Sequence, residues 1–94
     1  MKYIKVIDKS DVEVEGVLYM EIDNNSFEVR KVELYNGALL GFAGSDINFN
    51  GTELYKTQLF EEAEINNIKG MKAIKIEKAD FEAIWQQAIS AMND

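Results

Sequence analysis

The chain has 94 residues with no histidine, cysteine or proline, which excludes histidine-based triads, thiolate nucleophiles, disulfides and most zinc sites. Seventeen acids against ten bases give a formal net charge of −7 and a pI near 4.5. Hydrophobic residues make up 47% of the chain, so this is an acidic sequence able to build a core rather than a disordered tail.

Lys2 to Ile7 reads as a first strand, alternating between Lys2/Ile4/Val6 and Tyr3/Lys5/Ile7. Lys5 interrupts the apolar run and Asp8 ends it, so the opening does not have the form of a signal peptide. No apolar stretch approaches the ~20 residues a membrane span needs. Asp8 to Gly16 is polar and acidic and reads as a loop. Val17 to Ile22 is a second strand, with Leu18, Met20 and Ile22 on one face. Asp23-Asn24-Asn25-Ser26 is a cluster of turn formers leading to a third strand, Phe27 to Tyr35.

The third strand is internally inconsistent. Phe27 and Val29 share one phase, and Val32 and Leu34 the other, so the apolar pattern slips by one across Arg30-Lys31. A β-bulge there would bring all four to one face; the alternative is a strand buried on both sides. Asn36-Gly37 signals a type I′ hairpin turn into a fourth strand, Ala38 to Ala43. Four of the six glycines fall between Gly37 and Gly51, a tight region with room for a short strand at Ile47 to Asn50.

Glu61 to Asn67 fits a short acidic helix, and Ala73 to Ile76 a short strand. A longer helix follows, because Phe81, Ile84, Trp85, Ala88, Ile89 and Met92 form an apolar stripe at helical spacing. Its first turn holds Asp80 and Glu82, which favour the helix dipole. These elements predict one α+β domain over 1–94, a mainly antiparallel sheet of four to five strands with the C-terminal helix packed on one face. Phe81 and Trp85 belong in the core. Tyr3, Tyr19, Tyr35 and Tyr55 are candidates for half-exposed interface aromatics.

Few motifs speak for chemistry. A glycosidase needs two carboxyls across a sugar cleft, and nothing in the pattern marks one. Asp23-Asn24-Asn25 lacks the alternating acids and the final glutamate of a calcium loop, and reads as a solvated turn. Gly41-Phe42-Ala43-Gly44-Ser45 lacks the Gly-Lys-Ser/Thr of a phosphate loop. Arg30, the only arginine, is expected to make a structural ion pair. Lys69, Lys72, Lys75 and Lys78 do not share a strand face, and the net charge argues against nucleic acid as a direct partner. An anionic membrane surface is excluded on the same ground. The acids gather instead between positions 8 and 30 and between 46 and 64, a pattern suited to a basic protein partner.

Several segments together are similar to a largely uncharacterised family of small bacterial domains. They are Met1-Lys2-Tyr3-Ile4-Lys5-Val6, the block Glu21-Ile22-Asp23-Asn24-Asn25-Ser26-Phe27-Glu28-Val29-Arg30-Lys31-Val32-Glu33-Leu34-Tyr35, Gly41-Phe42-Ala43, Gly51-Thr52-Glu53-Leu54, and Asp80-Phe81-Glu82-Ala83-Ile84-Trp85. In size and acidity the family resembles the immunity proteins of polymorphic toxin and contact-dependent growth-inhibition systems. The resemblance implies a cytoplasmic, non-enzymatic protein without cofactors that binds the basic, often nuclease, toxin domain of a matching effector. Two departures from the family pattern are the absence of proline in Lys56-Thr57-Gln58-Leu59-Phe60, and Glu77 where a Ser or Thr cap is more usual.

Charge complementarity places the partner contact on the turn after the second strand and on the 53–64 segment, with Asp23, Glu61, Glu62 and Glu64 as candidate residues. Two rival readings remain at this point. One is an acidic interaction module or nucleic-acid mimic unrelated to toxins. The other is an enzyme or metal-binding domain built on carboxylates alone.

Overall fold

A computed structural model describes residues 1–58 and 61–92; the side chain of Met92, last in the helical stripe, lies outside the described set. Strands β1 (Lys2–Asp11) and β2 (Val14–Ile22) pair antiparallel from Lys2↔Ile22 to Asp8↔Gly16. The segment 8–16, expected as a loop, is therefore the outer half of a hairpin that turns at Val12-Glu13. Its polar composition misleads because the tip is solvated, while the backbone ladder forms whatever the side chains are. Local bonds fix the irregular end. The Asp8 carboxylate accepts from Ser10 N at 2.9 Å and from Ser10 Oγ at 2.6 Å, and Asp11 accepts from Glu13 N at 3.0 Å.

The β2–β3 turn is held by Asp23, whose Oδ1 accepts from the backbone N–H of Asn25 at 2.8 Å and of Phe27 at 3.0 Å. Strand β3 (Glu28–Tyr35) does carry a bulge. It falls at Val29, because Glu21 faces Arg30 while Ile22 faces Glu28. Phe27 lies outside the strand and is 36% exposed, so it is not part of the apolar face expected for it. Beyond the bulge, alternation puts Arg30, Val32 and Leu34 on one face and Lys31, Glu33 and Tyr35 on the other.

Asn36 and Gly37 have φ of 49° and 84°, the expected positive pair, and lead into β4 (Ala38–Ala43). The two-residue β5 (Asn48–Phe49) pairs with its end. After α1 (Glu62–Asn66), strand β6 (Met71–Lys75) returns to pair antiparallel with β1. The sheet has six strands in the order β5-β4-β3-β2-β1-β6, one more than the upper expectation, and is antiparallel throughout.

Helix α2 (Lys78–Met92) covers one face. Its start lacks a Ser or Thr cap, but Asp80 Oδ2 accepts from Glu77 N at 3.1 Å, one half of a capping box. Phe81, Trp85 and Ala88 pack on Tyr3, Val32 and Phe42. Trp85 meets Phe42 edge-on with ring centroids 5.5 Å apart. Full burial of Phe42, Phe81, Ile4 and Val32 contributes roughly 1.5–3 kcal/mol each. Tyr3 is core rather than half-exposed, at 9% exposure.

The second face is only partly covered. Ile65 of α1 packs on Ile4, Val6, Met20, Ile22 and Ala73. The chain after β5 crosses so near β4 that a Cβ on Gly41 would collide with Thr52 and with the carbonyl of Phe49.

Candidate functional site

On the helix face, Arg30 is the centre of a polar cluster. Its Nε donates to Glu21 Oε1 at 2.7 Å, its Nη2 to Glu21 Oε2 at 3.0 Å, and the same nitrogen reaches Glu82 on α2. The guanidinium carbon lies 4.9 Å from the Phe81 ring centroid and 5.1 Å from that of Trp85. Tyr3 completes the group, donating its hydroxyl to Glu21 Oε2 at 2.9 Å. The Arg30 guanidinium holds the Glu21 carboxyl below the ordinary range despite burial, and burial first, then Glu21, pushes the Tyr3 phenol up. Every charge in this cluster has a partner. Arg30 is thus the structural ion pair that its uniqueness in an acidic chain suggested, here joining sheet to helix.

The neighbouring Lys31 points to the other face. Its Nζ lies 3.1 Å from Glu28 Oε1, and the two side chains are only 4% and 1% exposed. The ammonium also sits 4.3 Å from the Tyr55 ring centroid, while Tyr55 N donates to Glu28 Oε1 at 2.9 Å. This ion pair pins the 52–58 segment across β3 and neutralises its own cation.

Between that segment, the start of β6 and the β1–β2 hairpin, the second face remains open as a groove of about 320 Å³. Val6, Leu18, Leu40 and Met71 line it, Tyr35 and Tyr55 stand at its side, and Asp8, Asp11 and Glu33 rim it. An adjoining hollow shares Lys31, Glu33, Leu40 and Tyr55 and adds Glu53. Exposure at Leu40 is 40%, at Tyr35 47% and at Tyr55 64%, so large apolar groups stand in solvent here. Hydrogen bonds from Ser10 hold the Asp8 carboxyl below its ordinary range. Asp11, Glu33 and Glu53 have no cationic partner among the described residues.

The four candidate acids lie at the other end of the sheet. Lys2 is opposite Ile22, the residue before Asp23, and bridges to Glu62 at 2.8 Å and Glu61 at 3.8 Å. Strand order and these bridges bring Asp23, Glu61 and Glu62 to one end of the sheet. Asp23 is occupied in its turn, and Glu61 and Glu62 share one lysine, whose ammonium they hold above its ordinary range, Glu62 most. Glu64 is exposed on α1 and has no ion-pair partner among the described residues. Among those residues, no group of three or more acids converges as a metal-ligand set, and no helix is long and apolar enough to cross a membrane.

The groove was not anticipated. A signal for it existed: one C-terminal amphipathic helix covers one sheet face, while Leu18, Met20 and Ile22 alternate onto a face for which the sequence offers only a short acidic helix.

This architecture is a six-stranded antiparallel sheet with one helix-covered face and one partly open face. The chain belongs to the domain family of unknown function DUF6881, whose profile matches residues 2–90. No curated protein and no solved structure matches it.

Proposed function

We propose that this protein is an immunity protein, which binds and neutralises a cognate toxin domain in the cytoplasm through an acidic surface. The observation that supports it best is the distribution of charge. Acids outnumber bases by seven, the half-buried Arg30 and the buried Lys31 are consumed by Glu21, Glu82 and Glu28, and unpaired acids are left around an exposed apolar face.

The logic is complementarity. A nuclease holds phosphates, so its cleft is lined with Lys and Arg. An acidic protein speeds encounter with such a cleft and blocks the substrate. No catalytic group and no cofactor enter this reading. The acidic flank of α1, with Glu61, Glu62 and Glu64, and the nearby Asp23 turn would steer the approach.

The test begins with the gene immediately upstream: a large effector with a variable C-terminal domain is expected there, and that domain is then co-expressed with this protein. Protection of the host and a stoichiometric complex are expected. Neither protection nor a complex would overturn the reading and favour an acidic interaction module unrelated to toxins. Equally tight binding to basic nucleic-acid-binding proteins unrelated to the toxin would instead mark a nucleic-acid mimic.

A further inference from the structure

We infer that the open sheet face is the anchoring site for a basic segment of the protein partner: an aliphatic or aromatic side chain enters the groove over Val6, Leu18, Leu40 and Met71 while flanking Lys or Arg residues meet Asp8, Asp11 and Glu33. The inference deepens the immunity reading and rests on it for the identity of the partner.

Two properties select this occupant. The floor offers side chains without hydrogen-bonding groups, so it accepts an apolar anchor and gives no orientation to a polar one. The charged groups left unmatched at the rim are carboxylates, because the Lys31 ammonium that also lines the groove is already matched by Glu28 at 3.1 Å. A small apolar ligand would leave that rim unused, and an acidic segment would be repelled by it. Tyr35 and Tyr55, 47% and 64% exposed, supply the aromatic surface that protein contacts favour.

The site also differs in place from the acids that steer. Lys2, which holds Glu61 and Glu62, and Asp8 at the groove are both on β1, about 20 Å apart at the rise of an extended strand. Steering groups at one end and an anchor at the other have separable kinetics, because rim charges act on association and desolvated anchors on dissociation.

The experiment is an NMR titration of the whole protein with a short peptide alternating lysine and leucine, and with its glutamate–leucine counterpart. Methyl signals of Val6, Leu18, Leu40 and Met71 should shift with the lysine peptide, and the glutamate peptide should bind at least about tenfold more weakly. Leu40→Arg, at an exposed position, should abolish the response, and Glu33→Lys should weaken it about tenfold with the floor intact. Equal response to both peptides, shifts confined to α1, or unchanged affinity in both variants would overturn the assignment. With the cognate toxin domain, Leu40→Arg should speed dissociation about 100-fold. A toxin domain that binds wild type and Leu40→Arg alike removes the groove and leaves the immunity reading standing. A toxin domain that binds neither, while the lysine peptide still seats in the groove, removes the immunity reading and leaves the groove.

Discussion

The side-chain amide of Asn66 acts as a missing strand residue for Ala73: its Oδ1 accepts from Ala73 N at 2.8 Å and its Nδ2 lies 3.4 Å from the Ala73 carbonyl. Ala73 is the middle residue of β6, an edge strand that pairs only with β1. Edge strands invite pairing with other chains, and this one is blunted at its centre by α1. On the other side of the sheet Asn50 Nδ2 donates to the Leu40 carbonyl at 2.6 Å in the same manner. Asn66→Ala should destabilise the protein by about 1–2 kcal/mol and promote self-association through β6. Sedimentation velocity across a concentration series is the measurement. A variant that is destabilised but strictly monomeric would mean that the amide only buttresses α1.

Arg30 is the second point of vulnerability. Removing it strands Glu21, at 6% exposure, beneath α2 and withdraws the cation from the Phe81 and Trp85 rings. Arg30→Ala should cost about 3–5 kcal/mol. Arg30→Lys should recover only a minor part, since an ammonium cannot fork onto Glu21, reach Glu82 and stack at once. Urea denaturation of the three proteins decides this; full rescue by lysine would reduce the cluster to a simple charge pair.

Gly41 is required for space, not for backbone angle. A Cβ there would lie 2.6 Å from the Phe49 carbonyl oxygen, an atom of the backbone that cannot swing away. Gly41→Ala should therefore cost about 3 kcal/mol by forcing the β5 crossing outward. It should also loosen Thr52, the first residue of the segment that covers β3. Hydrogen exchange in residues 48–58 should quicken in the variant; unchanged exchange there would place the strain elsewhere.

The sequence exposed most of the sheet because its signals were local. Asn36-Gly37 set one hairpin, the Phe81–Trp85–Ala88 stripe set the helix, and the slip between Val29 and Val32 offered a bulge as one of two readings. The errors also have local causes. Residues 8–16 looked like a loop because a solvated hairpin tip is polar, and its Val12-Glu13 turn has neither Gly nor Asn. The apolar slip points to Arg30-Lys31 for the bulge, whereas the unpaired residue is Val29, and Phe27 is outside the strand because Asp23 draws its N–H into the preceding turn. Burial of Lys31 and Glu28 was illegible, since it depends on Tyr55 arriving from 27 positions away to bond Glu28. The groove has Tyr55 of that same segment at its side and was hidden with it.

If the acids around α1 steer a basic partner, their reversal has a kinetic signature. Glu61→Lys, Glu62→Lys and Glu64→Lys together should slow association about 10–100-fold at low salt and flatten its salt dependence, with dissociation nearly unchanged. Stopped-flow mixing with the toxin domain at several ionic strengths gives both rates. Glu62 also anchors Lys2, at 2.8 Å, so Glu64→Lys alone serves as the variant that leaves the fold's own pairs intact. An association rate indifferent to all of them would transfer steering to the acids of the β1–β2 hairpin.

Acid should undo the joint between sheet and helix. The hydrogen bonds from Arg30 are the main reason the Glu21 carboxyl lies below its ordinary value of 4.5; burial opposes them and Tyr3 adds to them. A group depressed in the folded state binds protons more readily in the unfolded one, so the stability it contributes is present above about pH 4.5 and is lost as pH falls through the folded value. Glu82 is shifted in the same direction by Arg30, but its exposure makes it a minor partner. Wild-type stability to urea should be level from neutrality to about pH 5 and then decline. Glu21→Gln should be less stable at neutral pH and show a shallower decline below it, because the variant has no proton to take up at that site. The same substitution should bring the Tyr3 phenol part of the way down, leaving burial as the main cause that raises it. Urea midpoints at a series of pH values, with ultraviolet titration of the tyrosines, measure both effects. Parallel acid declines in wild type and variant would show that some other carboxylate governs the transition and that the Arg30–Glu21 pair contributes little to it.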